Sequence, residues 1–211
     1  MTKERLRIEW KERFYRSDWK LRDGPLLDGL VKATTHRRLQ KGEQVIQIGD
    51  PQSHVYFLLD GILLGYFIGA DGQEVTDCIR FRRGDALTSC LPFDQPSPLS
   101  IQALVESEVL VLPTAALMEL FQFPELVGIY NQYLQKSLEN HWRVKVALYQ
   151  YTARERYLWF LREYPGVLGK INHKCIASFL GITPVTLSRL RKNLREEAGA
   201  GGSLLIEKSS G

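Results

Sequence analysis

Regularly spaced turn signals between residues 41 and 85 constrain the fold of this chain most strongly. The glycines of these turns stand 7, 12, 11 and 12 residues apart: Gly42, Gly49, Gly61, Gly72 and Gly84. Between and after them lie short runs rich in β-branched and aromatic residues: Gln44–Ile48, Val55–Leu59, Ile62–Ile68, Glu74–Arg80, Ser100–Val105 and Glu108–Leu112. Short strands at this pitch predict an antiparallel sandwich, roll or barrel.

The pattern then becomes helical. We expect Thr114 to cap a short helix over Ala115–Phe121, and a helix of about 26 residues to follow up to Gln150. In that helix, apolar residues recur at three- and four-residue steps from Val127 to Leu148. We expect one face to pack on the β-domain and a second apolar row, Leu126, Ile129 and Tyr133, to remain for another partner. Dimerisation through this helix is expected, with a helix buried within one chain as the alternative.

The segment His173–Lys192 predicts a helix-turn-helix. Two helices that cross closely need a small residue at their contact, which Ala177 supplies, and the turn needs a positive φ, which Gly181 adopts at little cost. Asn172 and Thr183 are expected N-caps, and Pro184 suits the first helical position. The second helix is expected to end near Leu194.

The charge of the chain is unevenly distributed. Its net charge is +4, but residues 152–195 contain nine Lys or Arg and two Glu, so this segment carries +7 and the remainder −3. A basic segment on a mildly acidic body favours a polyanionic partner. A solvated basic surface is the alternative that charge alone leaves open.

The second helix of the motif predicts a DNA-reading surface. Its outward face and cap are Thr183, Val185, Thr186, Ser188, Arg189 and Lys192. Arg189 is the expected base reader, because a guanidinium can bind guanine O6 and N7 together. Ser188 and Val185 are expected at a neighbouring base edge or thymine methyl. Thr183, Thr186 and Lys192 are expected at phosphates, which position the protein but carry no sequence information.

Three stretches together resemble the CRP/FNR family of transcription regulators. They are KGEQVIQIGDPQSHVYFLLDGILLGYF (41–67), ALVESEVLVLP (103–113) and IASFLGITPVTLSRLRKNL (176–194). The resemblance implies an α+β chain with a cyclic-nucleotide-binding-like antiparallel β-roll (1–121), a dimerisation helix (122–150) and a winged-helix-type DNA-binding domain (151–211). It also implies a homodimer on two-fold duplex DNA, with RNA polymerase as a candidate partner.

The sequence departs from this family at the effector site and at the wing. Thr88-Ser89 stand where cyclic-AMP binders of the family carry Gly-Glu, and Ser97-Pro98 where they carry Arg-Ser or Arg-Thr. A buried phosphate without a cationic partner is costly, so we do not expect a cyclic nucleotide as effector. A pocket for a less charged, unknown effector is predicted at Thr88, Ser89, Cys90, Ser97 and Ser100. Only Ser203–Glu207 is strand-like enough for a wing.

Other classes of protein are disfavoured. The three cysteines and four histidines are scattered, which fits neither a disulfide framework nor a metal site, and the sequence names no cofactor. We expect no enzyme, because a cupin-like metal centre needs clustered histidines with a carboxylate. No apolar run suggests a signal peptide or membrane span, so a cytoplasmic location is expected. The main alternative is a signal-binding module that regulates a partner protein.

Overall fold

The structure, a computed structural model, describes residues 3–88, 93 and 95–200. Its helices are α1 (Lys3–Ser17), α2 (Pro25–Ala33), α3 (Thr114–Leu120), α4 (Pro124–Gln150), α5 (Ala153–Glu163), α6 (His173–Phe179) and α7 (Pro184–Ala200). Its strands are β1 (Thr35–Leu39), β2 (Gln44–Ile46), β3 (His54–Asp60), β4 (Leu63–Ile68), β5 (Glu74–Arg80), β6 (Ala86–Leu87), β7 (Ser100–Ala103) and β8 (Ser107–Pro113). Among the described residues, two helices precede the strands and five follow them.

The strands form two antiparallel four-stranded sheets. The strand orders are β1-β8-β3-β6 and β2-β7-β4-β5, so strands that are neighbours in a sheet are mostly distant in sequence. In the first sheet Tyr56 pairs with Val111, and in the second Leu64 pairs with Gln102. The antiparallel sheet fold expected from the turn spacing is therefore confirmed.

The first sheet is covered on both faces. Toward the second sheet it buries Leu39, Leu58 and Val109. The alternate residues of the same strands point the other way, because side chains alternate along a strand. There Phe57 and Leu110 pack with a layer from α1, α2, α3 and the start of α4, whose buried members are Phe14, Tyr15, Leu26, Leu27, Leu30, Leu117 and Leu126. The N-terminal helices therefore belong to the core of the β-domain.

The inner face of α4 is the row that we expected to remain free. Leu126 is fully buried, and the hydroxyl of Tyr133 donates a 2.7 Å hydrogen bond to the carbonyl of Ala86. The expectation that Leu126, Ile129 and Tyr133 remain available to another partner was therefore wrong. The other row is the outward one, with Leu138 58% and Trp142 54% exposed. The periodicity of the α4 sequence predicts two apolar rows, but it does not reveal which of them packs against the sheet.

Several element ends differ from the sequence expectations. Strands β1 and β6 were not expected, because β1 is mostly polar and β6 has only two residues. Thr114 does not cap α3; its hydroxyl donates to the carbonyl of Gln52 instead. Helix α7 continues to Ala200, beyond the expected end near Leu194. The strand-like segment Ser203–Glu207 lies outside the described residues.

Gly61 gives the fold a specific test. Its φ is +110°, and a Cβ at this position would lie 2.7 Å from the Cα of Ser107. Gly61→Ala should therefore lower the free energy of unfolding by at least about 2 kcal/mol, from backbone strain together with the clash. Gly72→Ala is the matched control, because its φ is also positive (+78°) but nothing lies within 4 Å; it should cost about 1 kcal/mol. Urea unfolding measures both values, and equal losses would contradict this account.

Candidate nucleic-acid interface

Local capping shapes the hairpin formed by α6 and α7. The amide of Cys175 donates a 2.8 Å hydrogen bond to the side-chain oxygen of Asn172, and the amide of Thr186 donates one of 3.1 Å to the hydroxyl of Thr183. Pro184 opens α7, where its missing N–H is not needed. Gly181 lies in the turn with φ +60°. The predicted caps and turn are all present.

The inside of the hairpin is a small apolar core. Ala177 and Leu187 are fully buried, as is Ile176, so the two helices approach each other closely around the short Ala177 side chain. Helix α5 closes this core from the other side with Trp159 and Phe160. Because the apolar side of α7 is used here, its opposite side faces solvent.

The residues predicted to read DNA share this outward side. Val185 is 60% exposed, and Ser188, Arg189 and Lys192 are exposed at three- and four-residue steps from it. Thr186 is half-buried, and its hydroxyl and that of Thr183 share a 2.9 Å hydrogen bond. The two threonines therefore serve first in capping the helix.

The cations of α7 differ in their partners. Lys192 lies 3.8 Å from Glu196 in an exposed ion pair, and Arg191 contacts the ring of His173. Desolvation, followed by Arg191 and Arg195, lowers the pKa of His173, so the imidazole stays neutral near pH 7. Within the described part of the chain, the side chain of Arg189 forms no ion pair or hydrogen bond. The guanidinium of Arg189 is therefore available to an external acceptor.

The hairpin is docked on the β-domain through α6. The amide of Thr76 on β5 donates a 2.9 Å hydrogen bond to the hydroxyl of Ser178. An aromatic series continues this contact, with Phe81 and Tyr164 rings 5.4 Å apart and Tyr164 and Phe179 rings 5.2 Å apart. Sequence reasoning did not identify this junction, because its members lie about a hundred residues apart. Since α6 meets β5, α7 is left on the outside.

The end of α4 is also attached to the hairpin. Arg156 of α5 donates a hydrogen bond of 3.3 Å to the carbonyl of Leu148, in the last turn of α4. A Cβ at Gly181 would lie 3.4 Å from this guanidinium and 3.5 Å from the Leu148 side chain. The last turn of α4, the start of α5 and the α6–α7 turn thus meet at one point.

The residues predicted for an effector pocket are only partly brought together. The hydroxyl of Ser100 accepts a hydrogen bond from the amide of Ile48, and the carbonyl of Ser97 accepts one from the amide of Gly49. Both serines are buried and hold the loop between β2 and β3. Thr88 instead borders a small apolar cavity of about 60 Å³ under α4. Ser89 and Cys90 lie outside the described residues.

Neither a metal cluster nor a membrane span is found in the part of the chain that the structure describes. No three His, Cys, Asp or Glu side chains of the described residues are grouped closely enough to hold a metal ion. None of the described helices combines the length and the apolar character needed to cross a bilayer.

Ser178 tests the junction between α6 and β5. Ser178→Ala removes the acceptor of the Thr76 amide, whose residue is 8% exposed, so the amide is left without that partner. We expect a loss of about 1–3 kcal/mol in unfolding free energy and faster hydrogen exchange at the Thr76 amide. Ser188→Ala, on the exposed side of α7, should change neither quantity. Unaltered Thr76 protection in Ser178→Ala would show that this bond does not hold the junction.

Comparison with known sequences identifies one domain. Residues 36–122 match the family model of the cyclic nucleotide-binding domain. Neuropathy target esterase sws of Drosophila persimilis is 31% identical over 106 residues, which are 46% of this chain and 7% of that protein. Patatin-like phospholipase domain-containing protein 7 of Mus musculus is 36% identical over 124 residues, 54% of this chain and 9% of that protein. The chain spans less than a tenth of the length of these curated relatives.

Solved structures match a larger part of the chain. FixK2 of Bradyrhizobium japonicum has a TM-score of 0.67 at 21% identity, covering 78% of this chain and 86% of its own. The c-di-GMP-responsive global regulator CLP of Xanthomonas campestris has a TM-score of 0.66 at 18% identity, covering 83% of this chain and 93% of its own. A protein from Eubacterium rectale, assigned to transcriptional regulators of the CRP/FNR family, has a TM-score of 0.68 at 16% identity, covering 87% of this chain and 88% of its own. Residues 36–122 are therefore similar to the cyclic nucleotide-binding domain, and the chain shares its fold with these solved structures, one of which is assigned to the CRP/FNR family.

Proposed function

We propose that the protein is a homodimeric, sequence-specific DNA-binding transcription regulator of the CRP/FNR type. The observation that carries the proposal is the exposed cationic side of α7, on a hairpin whose caps and core turn that side to solvent. Residues 1–121 serve as effector domain, 122–150 as dimerisation helix and 151–211 as helix-turn-helix domain. RNA polymerase is the candidate protein partner.

In this proposal α7 enters the major groove. Its N-terminal half presents Val185, Ser188 and Arg189, which are the residues for base edges. Thr183, Thr186 and Lys192 lie on the flanks and bind phosphates, so they set the position of the helix and not its sequence preference. The ion pair of Lys192 with Glu196 is exposed and therefore weak, so a phosphate can replace the carboxylate.

The dimer is formed through the outward row of α4. The exposed Val127, Leu138, Trp142 and Tyr149 fall at helical spacing on the side of α4 that faces away from the β-domain. An exposed row of large apolar side chains is unfavourable in water, and a second copy of the same helix would cover it. Two copies then place two α7 helices on a two-fold operator, about one turn of DNA apart.

The effector in this proposal is not a cyclic nucleotide. Ser97, at the position of the phosphate-binding arginine, is buried and uses its hydroxyl in a hydrogen bond with the carbonyl of Leu99. Thr88, at the other cassette position, borders an apolar cavity. Neither position offers the cation that a buried cyclic phosphate needs.

A regulatory module that acts on a partner protein is the second candidate. It is favoured by the curated relatives, in which the matched region is a small part of a large protein. A mobility-shift titration of duplex DNA at several salt concentrations separates the two. A DNA-binding regulator loses affinity steeply as salt rises, since released counterions contribute to its binding, whereas a protein-partner module gives no specific shift.

Arg189→Ala tests the assignment of the base reader. We expect the affinity for an operator selected from a random duplex library to fall by about 1–3 kcal/mol, with relaxed preference at one base pair per half-site. The cause is the loss of a bidentate contact to guanine. Arg22→Ala, which removes the same charge from an exposed site before α2, is the control and should keep the preference. Equal specificity in both variants would refute the role of Arg189.

Leu138→Glu tests the dimer. A charge in the middle of the outward row should convert the dimer to a monomer in sedimentation velocity and abolish binding to the two-fold operator. Gln132→Glu adds the same charge to the inner side of α4 and should leave the dimer intact. Because Leu138 is exposed within one protomer, thermal unfolding of the monomeric variant should stay cooperative. A wild-type protein that sediments as a monomer would also contradict the proposal.

A further inference from the structure

A cavity lies behind α4 and apart from the predicted serine pocket. Its volume is about 510 Å³, within the usual range for small-molecule sites. It is bounded by the segment Asp18–Lys20, the end of β5 with the turn before β6, one side of α4, and Tyr164 after α5. We call it the α4 cleft. None of Thr88, Ser97 and Ser100 lines it.

The α4 cleft uses the side of α4 opposite to the exposed apolar row. Ile129, Tyr133, Lys136, Asn140 and Arg143 line it at steps of four, three, four and three residues. These residues mark one side of a helix, whereas Val127, Leu138 and Trp142 mark the other. A second copy of the chain packed on the apolar row would therefore contact the side of α4 that faces away from the α4 cleft.

The lining is cationic. It contains six basic residues, Lys20, Arg80, Arg82, Arg83, Lys136 and Arg143, and three acidic ones, Asp18, Asp85 and Glu139, which gives a formal charge of +3. Such a concentration of one sign in a concave site attracts anions from solution.

Half of these cations have partners within the protein. Arg83 pairs with Asp18 at 3.4 Å and Arg143 with Glu163 at 3.7 Å. Arg82 donates a 2.7 Å hydrogen bond to the carbonyl of Glu163. The carboxylate of Asp85 accepts hydrogen bonds from the amides of residues 81 and 82, so part of its acceptor capacity is used by the turn.

The other three cations have no such partner. Among the described residues, the side chains of Lys20, Arg80 and Lys136 form neither an ion pair nor a hydrogen bond. Arg80 is the most informative, because it is half-buried at the end of β5, beside Tyr133, Tyr164 and Asp85 in the lining of the α4 cleft. Its guanidinium interacts electrostatically with Asp85 but forms no ion pair with it, so its N–H donors remain available to a bound anion.

Neutral aromatic groups complete the lining. The hydroxyl of Tyr133 is fixed by its bond to Ala86, and burial raises its pKa to about 12, so it carries no charge that would repel an anion. Trp19 and Tyr164 offer ring surface beside the cations. Lys20 has φ +59°, the one positive φ of a non-glycine residue in the described chain, which is the kind of strain found at binding sites.

We propose that the α4 cleft binds a small multivalent organic anion, a phosphate ester or a polycarboxylate, whose charged group is held by Lys20, Arg80 and Lys136. These residues come from three separate elements, and Tyr164 adds the end of α5. A ligand there joins the β-domain, α4 and the start of the C-terminal helices. An effect of this ligand on DNA binding rests on the proposed function; binding of the ligand itself does not.

Isothermal titration calorimetry on the full chain, without DNA, tests the site. The probes are pyrophosphate, adenosine monophosphate and citrate, of which the first two report on phosphate and the third on carboxylates. We expect saturable binding of at least one probe, weakened about tenfold in Lys136→Gln and in Lys20→Gln. Lys41→Gln, which removes an exposed charge far from the cleft in sequence and outside its lining, should bind as wild type.

Arg80→Lys and Arg80→Gln extend the test to the half-buried position. We expect stronger loss in Arg80→Gln; if that variant does not fold, Lys20→Gln and Lys136→Gln still decide, because both residues are exposed. Absence of saturable binding of all three probes to wild type overturns the proposal, as does equal weakening in Lys41→Gln. Mobility shifts of Lys136→Gln without any probe should match wild type. Lost DNA binding in wild type with intact probe binding would overturn the proposed function alone.

Discussion

The packing of α6 against the outer side of β5 determines what the rest of the chain can do. A single hydrophobic cluster joins Leu64 and Ile79 of the second sheet to Trp159 and Phe179 of the C-terminal helices. Because apolar burial is the main stabilising term, this cluster holds the two parts together more strongly than the few hydrogen bonds that cross between them. The orientation of α7 follows from it: the helix that packs on α6 turns its charged side away from the sheet.

Helix α4 separates two environments. One side is buried against the β-domain at Leu126 and Ala147 and borders the α4 cleft between them, whereas the other exposes Leu138 and Trp142. A helix of 27 residues cannot be covered along its whole length by a domain of this size, so one of its sides must contact water, a ligand or a partner. The inner side, which borders the α4 cleft, and the exposed apolar side therefore lie on opposite faces of the same helix.

The sequence predicted those features that depend on local chemistry. Capping by Asn172 and Thr183 and the positive φ of Gly181 could be read from the residues, because each depends on groups within a few positions. Turn spacing likewise predicted most of the strands. Strand β1 was missed because its residues are mostly charged or polar and only pairing with β8 orders them. The α4 cleft could not be predicted, since Lys20, Arg80 and Lys136 are 60 and 56 residues apart.

The contact of Arg156 with the carbonyl of Leu148 has a mechanical consequence. Only Tyr151 and Thr152 separate α4 from α5, and Thr152 is itself fixed by a capping box with Glu155. The connection between α4 and α5 is therefore short, and the guanidinium of Arg156 links the two helices directly. A rotation of α4 about its own axis would therefore also rotate α5, and it would displace the α6–α7 turn that lies against Arg156.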